Sequence, residues 1–244
     1  MTFSLLQSMA AAVEVVPAYN PYPHGPFVGE DQGSGLAFDL VAYLNRHFAG
    51  RYEFRLHNVP RNRLNRMLEV KGAFGGVVLF LSPNFWVDAR KLMFHWTPPL
   101  FIDHNVVVSR TESDVRYGNG ESMSGLHFAG VLGHRYEGFE GRFGNDIVRE
   151  DANSELSNLR KVAAGRADFT ILPNSVYRYL LMRASASGEP IDGLHASPKP
   201  HLRFERAISI WKTEGVLAAD LNRLVKKMPR DPAWMAIMEK YNLR

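Results

Sequence analysis

Short hydrophobic runs alternate along the chain between the period of a strand and the period of a helix. Val13-Glu14-Val15-Val16 reads as a buried strand that Pro17 ends. A Pro- and Gly-punctuated loop from Ala18 to Ser34 leads to Asp39–Phe48, where Leu40, Val41, Leu44 and Phe48 share one helical face. Tyr52-Glu53-Phe54-Arg55-Leu56 alternates strictly, as a half-buried strand does. Pro60 opens a second helix at a place where its missing N–H costs nothing, with Leu64, Met67 and Leu68 inward. Val77–Leu81 is an apolar run of strand length. The order is βαβαβ, which implies a parallel sheet with right-handed crossovers.

The pattern restarts after Phe101. Asn105–Val108 and His127–Leu132 are strand candidates. Ser154–Ala164 reads as a helix, with Leu156, Leu159 and Val162 inward, a capping Ser at its start and Gly165 just past its end. Phe169–Leu172 is the next strand, and an amphipathic helix follows from Ser175 to Met182. Ala207–Trp211 is a late strand, and two helices close the chain: Val216–Met228, and one opened by Asp231-Pro232. Two α/β series of about 100 residues each account for the 244 residues.

Composition narrows the class. Hydrophobic residues at 45% and charged ones at 22% describe a globular chain able to bury a core. No apolar run approaches the ~20 residues of a bilayer span. The absence of Cys excludes disulfides, thiolate metal sites and a Cys nucleophile. The net charge of +4 is spread over scattered Arg and Lys, which argues against a nucleic-acid interface. Nine His without a paired spacing give no metal motif, and no cofactor motif is present. Residues 1–12 are small and apolar, and Ser8–Ala12 has the look of a signal-peptidase site. They are read as the remnant of a signal peptide or as a frayed terminus.

Six motifs in order resemble those of the periplasmic solute-binding proteins of polar amino acid ABC transporters. Tyr19-Asn20-Pro21-Tyr22-Pro23 is similar to that family's "YPPF" loop, and Gly35–Leu40 to its "GFDvDL". Ser82–Arg90 with Trp96–Phe101 is similar to "iTpeR…FsdPY", and Ala164–Asp168 to "aGrvDA". The strand at Ala207–Trp211 with its following helix, and the terminal Met238–Tyr241, complete the order. The resemblance runs from Val13 to Leu243. It implies the type 2 periplasmic-binding-protein fold: an α/β protein of two lobes, each a mostly parallel sheet flanked by helices, joined by a two-strand hinge. On this basis residues 13–101 and 204–244 form lobe 1 and residues 102–203 form lobe 2. It also implies a periplasmic, monomeric protein that closes on a small ligand and presents it to a membrane ABC permease.

The resemblance places the carboxylate-binding Arg at Arg90, whose guanidinium fork can donate to both oxygens of a carboxylate. Ser82 and Asn84 follow a buried strand, where ligands of open α/β sheets bind, or else serve the turn around Pro83. Trp86 lies in an extension of this block and could wall a ligand or pack on the surface. Tyr19 and Tyr22 would stack on the ligand, or anchor their loop. Gly133-His134-Arg135 resembles the turn that opens a lobe 2 helix, whose free N–H groups would take an anion. Where the family has an Asp for the ligand ammonium this chain has Pro173, leaving Asn174 as a neutral substitute; Asp103 and Glu205 are the other carboxylates within reach of the hinge. The leading reading is a binder of a small carboxylate-bearing solute. The alternatives are a prephenate- or arogenate-type dehydratase on the same fold, with Asp88, Asp103 or Glu205 as its acid, and a ligand sensor.

Overall fold

The computed structural model describes residues 12–69, 75–83, 93–188 and 190–243. The chain divides into two compact units. One holds the chain up to Leu100 and Ala207–Ile237; the other holds Phe101–Arg206 and Met238–Arg244.

The first unit begins with β1 (Glu14–Asn20), α1 (Leu36–His47), β2 (Tyr52–Asn58), α2 (Arg61–Glu69), β3 (Val77–Leu81) and β4 (Phe94–Trp96). β1 pairs in parallel with β2 on one side and β3 on the other. The strand expected to stop at Pro17 continues to Asn20. β3 joins β1 only from Ala18, so the ladder on that side needs no donor at Pro17. α1 starts three residues earlier than its polar pattern suggests, because Leu36 and Ala37 are also buried. Gly35 precedes it at φ 123°, and a Cβ there would come within 2.4 Å of the Phe27 carbonyl oxygen, so the loop closes on the helix start only with glycine. Phe27, Leu36, Leu40, Leu44 and Val77–Phe80 form much of this core.

The second unit contains β5 (Phe101–Arg110), β6 (His127–Val131), β7 (Val148–Ala152), α3 (Glu155–Ala163), β8 (Phe169–Pro173), α4 (Asn174–Ser187) and β9 (Leu194–Ala196). β7, β6 and β8 run parallel, and β5 pairs antiparallel with β8. An apolar cluster of this unit includes Phe128, Tyr136, Phe139 and Phe169. α3 is bounded as its sequence predicts. Ser154 Oγ accepts from the Ser157 amide at 3.2 Å. At the other end the Arg166 amide donates to Lys161 and the Gly165 amide to Val162, the double bond of a Schellman cap.

The chain closes through β10 (Leu202–Trp211), α5 (Gly215–Val225) and α6 (Pro232–Lys240). β10 belongs to both sheets in turn: Leu202–Arg206 pairs with β5, and Ala207–Trp211 pairs with β3 and β4. In the first sheet β10 runs antiparallel to the three parallel strands; in the second β5 does so, and β10 pairs antiparallel with β5. Among the described residues no helix is long and apolar enough to cross a membrane.

Candidate functional site

In the first unit the parallel strands β1, β2 and β3 end together at Asn20, Asn58 and Leu81. Crevices at such carboxyl ends are where open α/β sheets bind ligands, because the loops there diverge and leave backbone groups unpaired. Ser82 is the first residue beyond β3. It is 4% exposed, and its hydroxyl has no hydrogen-bond partner among the described residues. A buried hydroxyl carries a desolvation cost that only a hydrogen-bond partner offsets, and none of the described residues supplies one here.

Tyr22 follows β1 by two residues and is half-buried. Its ring lies 4.8 Å from that of Phe27, which is 4.9 Å from Phe80. This row runs from the loop into the core and gives Tyr22 a fixed backing. Tyr19 is placed differently. Its side chain packs beside the cluster of Val59, Leu64, Val78 and Phe94, with its ring 5.6 Å from His57. Burial, with the charge of Glu214, pushes its hydroxyl pKa up. Of the two tyrosines, Tyr19 is a core anchor and Tyr22 is the one held at the strand ends.

Asn20 carries a role that pattern reading did not assign. It is fully buried. Its Oδ1 accepts from the Tyr22 amide at 3.2 Å, and its Nδ2 donates to the Tyr22 carbonyl at 2.9 Å and to Asn58 Oδ1 at 3.0 Å. The signal available in the sequence was the Asn-Pro dipeptide, a turn initiator.

In the second unit the same end of the parallel strands holds the loop after β6 and the start of α4. The helix expected at Gly133-His134-Arg135 does not form; turns and an isolated Phe143–Ile147 bridge connect β6 to β7. The reason is Tyr136, which is buried against Phe128 with ring centroids 4.7 Å apart. Its hydroxyl accepts from the Val131 amide at 2.8 Å, and burial pushes its pKa up to about 12. A helix would carry Tyr136 away from this core. The His134 amide is used as well, donating to the Val131 carbonyl at 3.0 Å. Gly133 turns at φ 78°, and Gly133, His134 and Arg135 are all exposed. The anion site of a helix N-terminus is therefore absent here. Arg149 ties the turn down, donating to the His134 carbonyl at 2.9 Å and lying 5.2 Å from the Tyr136 ring centre.

Asn174 is the first residue of α4 and is half-buried. The next residue, Ser175, is buried and spends its polar groups on Asp103: its hydroxyl donates to Oδ2 at 2.7 Å and its amide to Oδ1 at 3.3 Å. Asp103 also takes the His104 amide at 2.9 Å and both Nε and Nη2 of Arg206, at 3.2 and 3.1 Å. Five donors saturate this carboxylate, and Asp103 and Arg206 are each 3% exposed. Asp103 is therefore not available for a ligand ammonium or as a general acid. Glu205, the other carboxylate considered, is exposed on β10 opposite Ile102. Asn84, Trp86, Asp88 and Arg90 lie outside the described residues.

No protein-family model and no curated protein sequence matches the chain. Solved structures do, and they define the class: this is the two-lobed α/β fold of the periplasmic binding proteins. A mutant of ArgBP from T. maritima superposes with a TM-score of 0.70 at 19% identity, over 94% of this chain and 96% of that one. The substrate binding protein of an amino acid ABC transporter gives 0.68 at 14%, over 93% and 98%. A histidine kinase sensor domain with similarity to periplasmic binding proteins gives 0.70 at 17%, over 94% and 96%. At such identities the likeness defines the fold, and the function has to be argued from the site.

Proposed function

We propose that this chain is an extracytoplasmic solute-binding protein that holds a small polar, carboxylate-bearing ligand, an amino acid or a derivative, for delivery to a membrane ABC permease. The observation that carries this reading is the buried Ser82 hydroxyl at the carboxyl end of β3, which has no partner among the described residues, beside strand ends occupied by neutral polar groups. Tyr22, backed by Phe27, offers a ring face at the same ends. In this reading Arg90 supplies the guanidinium fork for the carboxylate. Asn174 supplies a neutral contact where a carboxylate would otherwise hold an ammonium, which favours ligands whose amine is absent, acylated or placed away from the carboxylate. In this reading the protein works as a monomer in the periplasm without catalysis; of the candidate acids, Asp103 is engaged by five donors, Glu205 is exposed, and Asp88 lies outside the described residues. Sensing is the second reading, favoured by a fold match to a kinase sensor domain as good as that to ArgBP.

A thermal-shift panel of amino acids, opines, dicarboxylates, polyamines and prephenate tests it. A ligand at 100 times its Kd adds about 2.7 kcal/mol, which at this size raises Tm by roughly 5–10 °C. Carboxylate-bearing members are expected to give that shift in the parent protein and none in Arg90→Ala. A panel with no shift, or turnover of prephenate by the purified protein, overturns the proposal.

A further inference from the structure

We propose that Asn20 is a positioning residue for ligand binding: it holds the Tyr22 backbone, and through it the Tyr22 ring, in the ligand-ready place before any ligand arrives. This rests on the reading above that Tyr22 faces the ligand. Three facts carry it. Asn20 is fully buried, at the last position of β1, although Asn is among the residues least suited to a strand interior. Its amide meets both backbone groups of Tyr22, the N–H and the C=O, so it clamps the peptide planes on either side of the Tyr22 Cα. Because one of those groups only donates and the other only accepts, the orientation of the Asn20 amide is determined.

The third fact is where the remaining proton goes. Nδ2 also donates to Asn58 Oδ1, at the last position of β2, and the Val59 amide donates to the Asn20 carbonyl at 3.0 Å. The clamp is thereby anchored to the neighbouring parallel strand rather than to the loop alone. Pro21, between clamp and ring, has its φ locked by the pyrrolidine and adds no freedom. The ring itself rests on Phe27. A loop held at its backbone by one strand end and at its side chain by the core loses little conformational freedom when a ligand stacks on it. That is how preorganisation raises affinity without adding a ligand contact. A short hydroxyl in place of Asn20 could not reach both groups, and Asp could accept from the N–H but not donate.

Amide hydrogen exchange in the full chain, with tyrosines labelled, tests the clamp without any ligand. Tyr19 serves as the internal reference because it lies in the ladder with strands on both sides. Asn20→Ala is expected to speed exchange at Tyr22 about tenfold more than at Tyr19, the effect of one lost hydrogen bond to a locally opening loop. Asn20→Asp is expected to restore only part of the Tyr22 protection, since it keeps the acceptor for the Tyr22 N–H but sets a second acceptor against the Tyr22 carbonyl and Asn58 Oδ1. Equal acceleration at the two tyrosines, or none at Tyr22, overturns the proposal.

A binding cycle with N-acetyl-L-arginine as the probe, a carboxylate whose amine is acylated, separates this inference from the reading it rests on. Asn20→Ala and Tyr22→Ala should each weaken binding, and the double variant should bind no more weakly than Tyr22→Ala alone. Additive losses overturn the positioning role while leaving the binding role of Tyr22 intact. A Tyr22→Ala variant that binds as the parent does, or a parent that does not bind the probe, removes the support for Tyr22 as a contact, and the exchange ratio then decides the clamp by itself.

Discussion

Asn158 is the most exposed to test of the single residues, because its environment gives it nothing. It lies on the inner face of α3 at 0% exposure, and neither its Nδ2 nor its Oδ1 has a hydrogen-bond partner among the described residues. Leu has the same branched shape, with bulkier methyl groups where the amide atoms stand, and loses no hydrogen bond at such a place. Asn158→Leu is therefore expected to stabilise the protein by about 1–3 kcal/mol, the desolvation cost of an unpaired buried amide. Equilibrium denaturation in urea measures it, and a lower midpoint would show that the amide has a partner after all. Ser82 poses the same physical problem at the carboxyl end of a strand. Sequence pattern alone reads Ser82 as a residue following a buried strand and does not show that its hydroxyl lacks a partner among the described residues.

At the scale of the element, the buried ion pair decides most. Asp103 on β5 and Arg206 on β10 meet where the two strands pair, Phe101 opposite Arg206 and Asp103 opposite Phe204. The same carboxylate fastens the first turn of α4 through Ser175. Removing one partner leaves the other charge buried alone, so Asp103→Ala is expected to cost about 3–5 kcal/mol. Arg206→Ala should cost a similar amount, and the double variant clearly less than the sum. Denaturation of all three measures the coupling, and additive costs would show that the pair is not the stabilising unit.

Element prediction succeeded or failed for related reasons. α3 was legible because its cap, its inward face and its closing Gly165 are local. A Cβ on Gly165 would lie 2.8 Å from Arg110 Nη1, which itself donates to the Val162 carbonyl at the helix end. β7 escaped notice because Val148-Arg149-Glu150-Asp151-Ala152 is an edge strand with little buried surface. The helix expected after Gly133 was wrong because Tyr136 is claimed by an aromatic cluster that no local window contains.

At the scale of the whole molecule, the pH profile of stability reports on Glu214. Burial is the main cause of its raised pKa; the charge of Glu14 adds to it, and the Gly76 amide, donating at 2.7 Å, partly opposes it. The folded protein therefore prefers the protonated acid. That contribution is fully present below the ordinary carboxylate range and is lost as pH rises through the raised folded value. Glu214→Gln keeps an acceptor for Gly76 and never ionises. It should raise Tm at about pH 8 and change it little at about pH 4. Thermal scans across that range check it, and an equal effect at both ends would exclude the ionisation as the cause.

The sequence by itself determined the alternation of strand and helix, the restart of that series after Phe101, and the strand ends where Ser82 and Asn174 stand. These follow from periodicity, capping and turn residues, which act over a few positions along the chain. The tertiary structure alone decided which polar groups are spent and which are left over. Asp103 is consumed by Arg206, 103 residues away, and Asn20 is tied to Asn58, 38 residues away. Whether a carboxylate or an amide is free for a ligand depends on what folding brings within 3 Å of it, and sequence spacing carries no record of that distance.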